Sequence, residues 1–135
     1  VVTRPDVISK RILQEFALFC GNQVRHLMKD ERSVRALDIT RAYLDGTVTK
    51  EVLVEAKEAA RAAIFTAVAY EAEVAITAYV VTASSNADIA SGAYAYDAAN
   101  HAAHAVADTT AYYSAYPEVY DQQIDKIIEL LEGEI

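Results

Sequence analysis

Alanine supplies 23 of the 60 residues between Ala56 and Ala115, at spacings of three and four, and no other feature constrains the fold as strongly. Alanine loses no side-chain entropy and buries no polar group on entering a helix, so such a tract is biased toward the α-helix. Its small side chain also leaves little bulk between two helices, whose axes can then approach toward the short end of the usual ~8–10 Å range. Tyr70, Tyr79, Tyr94, Tyr96, Tyr112 and Tyr113 interleave with the alanines. Beside alanine they fill space and place their hydroxyls at the rim. Short units such as Ala-Val-Ala-Tyr and Ile-Thr-Ala-Tyr recur, too irregularly for a solenoid.

The rest of the chain carries the same period. Ile8, Ile12, Leu13, Phe16, Cys20, Val24, Leu27 and Met28 form one apolar stripe, with Gly21 marking a kink or a close helix contact. Ser33 is suited to cap a second helix, which Asp45-Gly46 stops. Thr47 or Thr49 caps a third. No Gly or Pro interrupts Lys50 to Thr82, which as one helix would run roughly 50 Å at ~1.5 Å per residue. Residues 83–88 break the pattern, and Pro117 fits the first turn of a last helix. That helix sets Tyr120, Ile124, Ile127, Ile128 and Leu131 on one side, and Asp121, Asp125, Glu129 and Glu132 on another. With no alternating strand pattern, the expectation is an all-α single domain over 1–135. Its four or five helices span about 8–28, 33–45, 49–83, 88–115 and 117–132.

Charge is divided unevenly. Residues 1–61 hold 11 Lys/Arg against 9 Asp/Glu, whereas residues 62–135 hold Lys126 alone against 11 Asp/Glu. Phosphate neutralisation needs clustered Lys and Arg, so nucleic acid is an unsuitable partner. A basic protein partner suits the acidic half through long-range attraction; solubility of an alanine-rich chain is the plainer reading of the same charge. Ala62 to Thr82 is 21 residues with two charges, but Glu71 and Glu73 lie mid-segment, where insertion costs ~2.5–3.5 kcal/mol for each ionised group. A buried helix, not a membrane span, is expected there. Cys20 alone allows no intrachain disulfide and points to a reducing compartment, with the thiol a small buried hydrophobe. Arg4, Pro5 and Asp6 lead into an amphipathic helix rather than a signal peptide.

The best constellation for chemistry is Asp97, His101, His104 and Asp108. Steps of four, three and four place all four on one helical stripe. Imidazole and carboxylate together suit zinc, iron or manganese, or acid–base work. The same residues also serve as the solvated face or hydrogen-bond network that an alanine-rich helix needs. Glu71 and Glu73, two apart, point to different faces, so at most one can join the stripe from another helix. The Glu-x-x-His pattern of di-metal bundles is absent, as are the nucleophile-elbow, P-loop, paired-cysteine and dinucleotide motifs. His26 lies at the edge of the first apolar stripe and reads as structural. Lys29, Arg32, Arg35 and Arg41 could hold an anion near the second helix, with Asp30, Glu31 and Asp38 offsetting their charge.

The stretch Ile12-Leu-Gln-Glu-Phe-Ala-Leu-Phe-Cys-Gly-Asn-Gln-Val-Arg25 precedes Asp30-Glu-Arg-Ser-Val-Arg-Ala-Leu37 and Arg41-Ala-Tyr-Leu-Asp-Gly-Thr-Val-Thr49. This succession resembles an alanine-rich family of phages, prophages and bacteria, part of which resembles immunity proteins of polymorphic toxin systems. The resemblance spans roughly residues 8–115 and is most specific over 12–49. It implies a non-enzymatic protein of the bacterial cytoplasm that binds and blocks another protein, and brings no catalytic or ligand-binding residues with it. Immunity-like members carry histidines through the alanine tract, where this chain has only His101 and His104.

The expectation is therefore an accessory protein that binds and blocks or sequesters a partner, without enzymatic activity or cofactor. Asp97 and Asp108 are its candidate contacts. Two alternatives are a metal- or small-ligand-binding bundle using the Asp97/His101/His104/Asp108 stripe, and a self-assembling structural protein. Close-packing alanine faces favour a homodimer.

Overall fold

The computed structural model describes residues 9–67, 70–86, 92–110 and 115–133, with the side chains of 70, 92, 93, 95, 106–110, 115 and 116 outside the description. Among the described residues the chain is entirely helical, with six α-helices and one 3-10 turn. These are α1 (Lys10–Gln23), the 3-10 turn (Arg25–Leu27), α2 (Glu31–Leu44), α3 (Lys50–Thr66), α4 (Tyr70–Asn86), α5 (Gly92–Thr110) and α6 (Ala115–Gly133). None is long and apolar enough to cross a membrane.

Local chemistry sets the helix ends. The Ser9 hydroxyl accepts from the Ile12 N–H at 3.2 Å and starts α1. Asp30, not Ser33, caps α2: its carboxylate accepts from the Arg32 N–H at 2.9 Å, and Ser33 is buried inside the helix. An ionised cap three residues earlier satisfies the same orphan donors and complements the helix dipole. Gly46, at φ 81, ends α2 in a Schellman turn, with Gly46 N–H donating to Tyr43 and Thr47 N–H to Ala42. Thr49 caps α3. Pro117 stands in the first turn of α6, where its missing N–H has no helical partner to lose.

The expected long third helix is instead two, α3 and α4. Ala67 leaves the helix with ψ 151, although neither Gly nor Pro marks the spot. Thr66 Oγ1 donates to the Ala63 carbonyl and accepts from Arg32 Nη2 at 3.1 Å, holding this end of α3 against the start of α2. Burial explains the break. Folding back buries Ala60 and Ala63 of α3 with Ala75 and Ala78 of α4, and tertiary packing of this kind overrides helix propensity.

α4 occupies the middle, packed against α1, α2, α3 and α5. It is buried on nearly every side: Val74, Ala75, Thr77, Ala78 and the whole run from Val80 to Ser85. A helix surrounded in this way needs no polar face. Its two threonine hydroxyls turn inward to its own backbone, Thr77 Oγ1 donating to Glu73 O and Thr82 Oγ1 to Ala78 O and Tyr79 O. Cys20 lies fully buried in the main core beside Leu18, Val24, Leu37 and Val81, and burial pushes its thiol far up. Gly21 is the close contact: a Cβ there would sit 2.7 Å from Leu37 Cδ2 and 3.1 Å from Val81 Cγ2.

α1 and α2 are clasped by charge. Arg41 donates twice to Glu15, 2.7 Å from each carboxylate oxygen, and also holds Asp45 at 2.9 Å. Arg11 reaches Glu15 at 2.8 Å and the Leu44 carbonyl at 2.6 Å. The Arg41 hydrogen bonds hold the Glu15 carboxyl below its ordinary range against the opposing effect of burial. A lowered native value means that Glu15 binds its proton less readily folded than unfolded. Its stabilising contribution is complete above the unfolded value near ~4.3 and is lost as pH falls through the native value. Glu15→Gln is therefore expected to flatten the fall in melting temperature below about pH 4. An acid limb as steep as that of the native chain would contradict this role.

Candidate functional site

The proposed Asp/His stripe divides on α5. His101 is half-buried against α4, where Nδ1 meets the Glu73 carboxylate. Asp97 and His104 face solvent, and the side chain of Asp108 lies outside the described residues. One glutamate of the Glu71/Glu73 pair does join from across the bundle, and it is Glu73. Glu71 turns the other way and approaches Lys29 at 3.7 Å. Among the described residues no three of His, Cys, Asp and Glu are placed to hold one metal ion. His101 and Glu73 thus stitch α5 to α4.

The basic residues near α2 are each matched by at least one carboxylate, three of these carboxylates on other helices. Lys29 approaches Glu71, Arg32 binds Asp30, Arg35 approaches Glu55 and Arg41 binds Glu15 and Asp45. No cluster is left to hold an anion. His26 is in the 3-10 turn and exposed, not on α1. A recess of about 50 Å³ lies between the start of α2 and the α3–α4 junction, lined by Lys29, Asp30, Ser33, Thr66 and Glu71 among others. It is large enough for a few waters.

No family model matches the chain, and neither does any curated protein or solved structure.

The most distinctive surface belongs to α6, which packs against α1 and α5. Its inward row is not the expected isoleucine stripe. Val119 and Gln123 are buried, while Ile124 and Ile128 are 54 % and 47 % exposed. Glutamine sets this rotation. Gln123 Nε2 donates to Gln23 Oε1 of α1 at 2.9 Å and to the Ala99 carbonyl of α5 at 3.2 Å, and Gln23 Nε2 donates to the Val119 carbonyl and to Gln122. A buried amide with its bonds made costs little; unpaired, it would cost about 1–3 kcal/mol. Tyr120, half-buried, donates to Asn100 Oδ1 of α5 at 3.3 Å.

The outward side of α6 therefore has two adjoining strips. One is apolar, Ile124 and Ile128 flanked by half-buried Tyr120 and Leu131. The other is Glu118, Asp121, Asp125, Glu129 and Glu132, all exposed. Lys126, the one Lys or Arg of residues 62–135, lies on the α1 side of the strip, with Nζ 5.7 Å from the centre of the Phe19 ring, and pairs with Glu129 of the strip at 3.3 Å. Hydrophobic periodicity foretells both strips but not which apolar residues remain outside, because a polar residue at the centre of the buried row carries no hydrophobic signal.

Proposed function

We propose that this chain is a non-enzymatic accessory protein that binds and blocks or sequesters a basic protein partner, as the immunity-like part of the alanine-rich family that it resembles is expected to do. One observation supports it above the others: an exposed acidic strip on α6, Glu118, Asp121, Asp125, Glu129 and Glu132, in which Lys126 pairs with Glu129 alone. Exposed Asp97 on α5 adds to the same sign of charge. Such a field accelerates encounter with an oppositely charged surface, and rejects a like-charged one. Screening over a Debye length of about 10 Å at 0.1 M salt makes the attraction dependent on ionic strength.

The test is retention of proteins from a bacterial lysate at low and at high ionic strength. The baits are the native chain and one carrying Asp97→Lys, Asp108→Lys, Asp121→Lys and Asp125→Lys. The expected result is one basic protein held by the native chain at low salt, released at high salt and lost on charge reversal. An empty native bait, or a partner indifferent to the reversal, would sink the reading.

A further inference from the structure

We infer that the α5–α6 ledge is a docking site for a basic amphipathic helix of the partner protein. This rests on the acidic-binder reading above and narrows it to one surface and one kind of segment. The ledge is built by the register of the two helices. Gln123 beside Ala99 and Tyr120 beside Asn100 run them in opposite senses. Tyr96 lies one helical turn from Asn100 on the same side of α5, and is 69 % exposed. Ile124 and Ile128 continue one and two turns from Tyr120 on α6. The Tyr96/Asn100 side thus adjoins the Tyr120/Ile124/Ile128 side, giving an apolar shelf between two helices. Side chains repeating at one-turn intervals present the spacing that an incoming helix matches with its own i, i+4 anchors.

Charge selects the occupant. Asp121 and Asp125 directly follow Tyr120 and Ile124 in sequence, so the carboxylates stand about 100° around α6 from the shelf. Glu118, Glu129 and Glu132 extend this row along the helix. A second copy of the chain would set that row against another shelf bordered by carboxylates, a juxtaposition that costs several kcal/mol when close. A segment with apolar anchors and a Lys/Arg flank meets both strips at once. Tyr and isoleucine bordered by a charged row also form the arrangement in which a few central side chains carry most of the affinity.

The test uses two designed helical peptides with leucines at the same i, i+3 and i+4 positions, one with lysine and one with glutamate elsewhere. Each is titrated into the full chain by calorimetry. The lysine peptide is expected to bind the native chain, and the glutamate peptide is not. Ile124→Ser with Ile128→Ser, and separately Asp121→Asn with Asp125→Asn, are each expected to weaken binding about tenfold or more, equivalent to about 1.4 kcal/mol. Glu51→Gln with Glu58→Gln removes the same charge from exposed positions of α3 and is expected to leave binding within about twofold, under about 0.5 kcal/mol. All substituted positions are exposed, so unchanged helicity by circular dichroism is expected throughout. Failure of the lysine peptide to bind, equal binding of the glutamate peptide, or indifference to the isoleucine pair overturns the inference. A weakening shared by the α3 control does the same. So does a doubled mass in solution that the isoleucine pair abolishes, which would give the ledge to a second copy. The two proposals part company at the lysate bait: a basic partner still held by the Ile124→Ser/Ile128→Ser chain leaves the acidic reading standing and removes this docking site.

Discussion

Leu37→Ala is expected to lower the free energy of unfolding by about 2–5 kcal/mol, read as a lower denaturant midpoint with an unchanged slope. Leu37 is 1 % exposed and sits where α1, α2 and α4 meet, against Gly21 and beside Val81. Removing its isopropyl group loses the transfer free energy and leaves a void that three packed helices cannot close. The adjoining glycine makes this more than a generic core deletion. Gly21→Ala alone gains up to about 1 kcal/mol of helix propensity. It also thrusts a methyl to 2.7 Å from a leucine with nowhere to go, and overpacking of this kind costs about 1–3 kcal/mol. In the Leu37→Ala background the leucine is gone and the space it leaves lets Val81, 3.1 Å from the added methyl, give way, so the same Gly21→Ala is expected to become stabilising. A double-mutant cycle measures the reversal. Independent, additive effects would show that the two positions do not share the space.

Ala78→Leu is the second large effect expected. Ala78, with Ala36 of α2 and Ala60 of α3, forms a cluster in which all three are fully buried. Three extra carbons at that point force helices apart or side chains off their rotamers, at about 1–3 kcal/mol or more. The comparison is Ala62→Leu, on the exposed side of α3, which is expected to stay within about 0.5 kcal/mol. Equal effects at the two positions would mean that the alanines are there for helix propensity alone. A cost confined to Ala78 shows that they set how closely the helices lie.

Much of the fold is legible in residues whose chemistry is local. Gly46 stops α2 because only glycine is at ease at its positive φ, Thr49 caps α3, and Gly21 marks a close approach. The all-helical character follows from alanine and period. The turn after Thr66 was illegible, since no residue there disfavours a helix; the break exists because α3 and α4 bury more when folded together. The cap of α2 was displaced from Ser33 to Asp30 because two acceptors compete and the charged, earlier one wins. The Asp97/His101/His104/Asp108 stripe divides, with His101 turned to α4 while Asp97 and His104 are exposed, and the two-residue spacing of Glu71 and Glu73 limited them to one recruit. Which one depends on how α4 is rotated, and that is decided by packing from four sides. The α6 ledge was hidden for a similar reason. Its rotation is fixed by the amides of Gln23 and Gln123, which hydrophobicity scores as surface.

The contrast between α4 and α6 has an evolutionary consequence. α4 answers to four neighbouring helices, so nearly every substitution along it must be accommodated by another part of the bundle. α6 answers to two, and Asp121, Ile124, Asp125 and Ile128 on its outer side are exposed. Residues such as Ile124, Asp121 and Asp125 can therefore change in pace with an altering partner while the interior stays as it is. The fold separates what must remain constant from what is free to diverge, and it does so by surrounding one helix with four neighbours and leaving another with two.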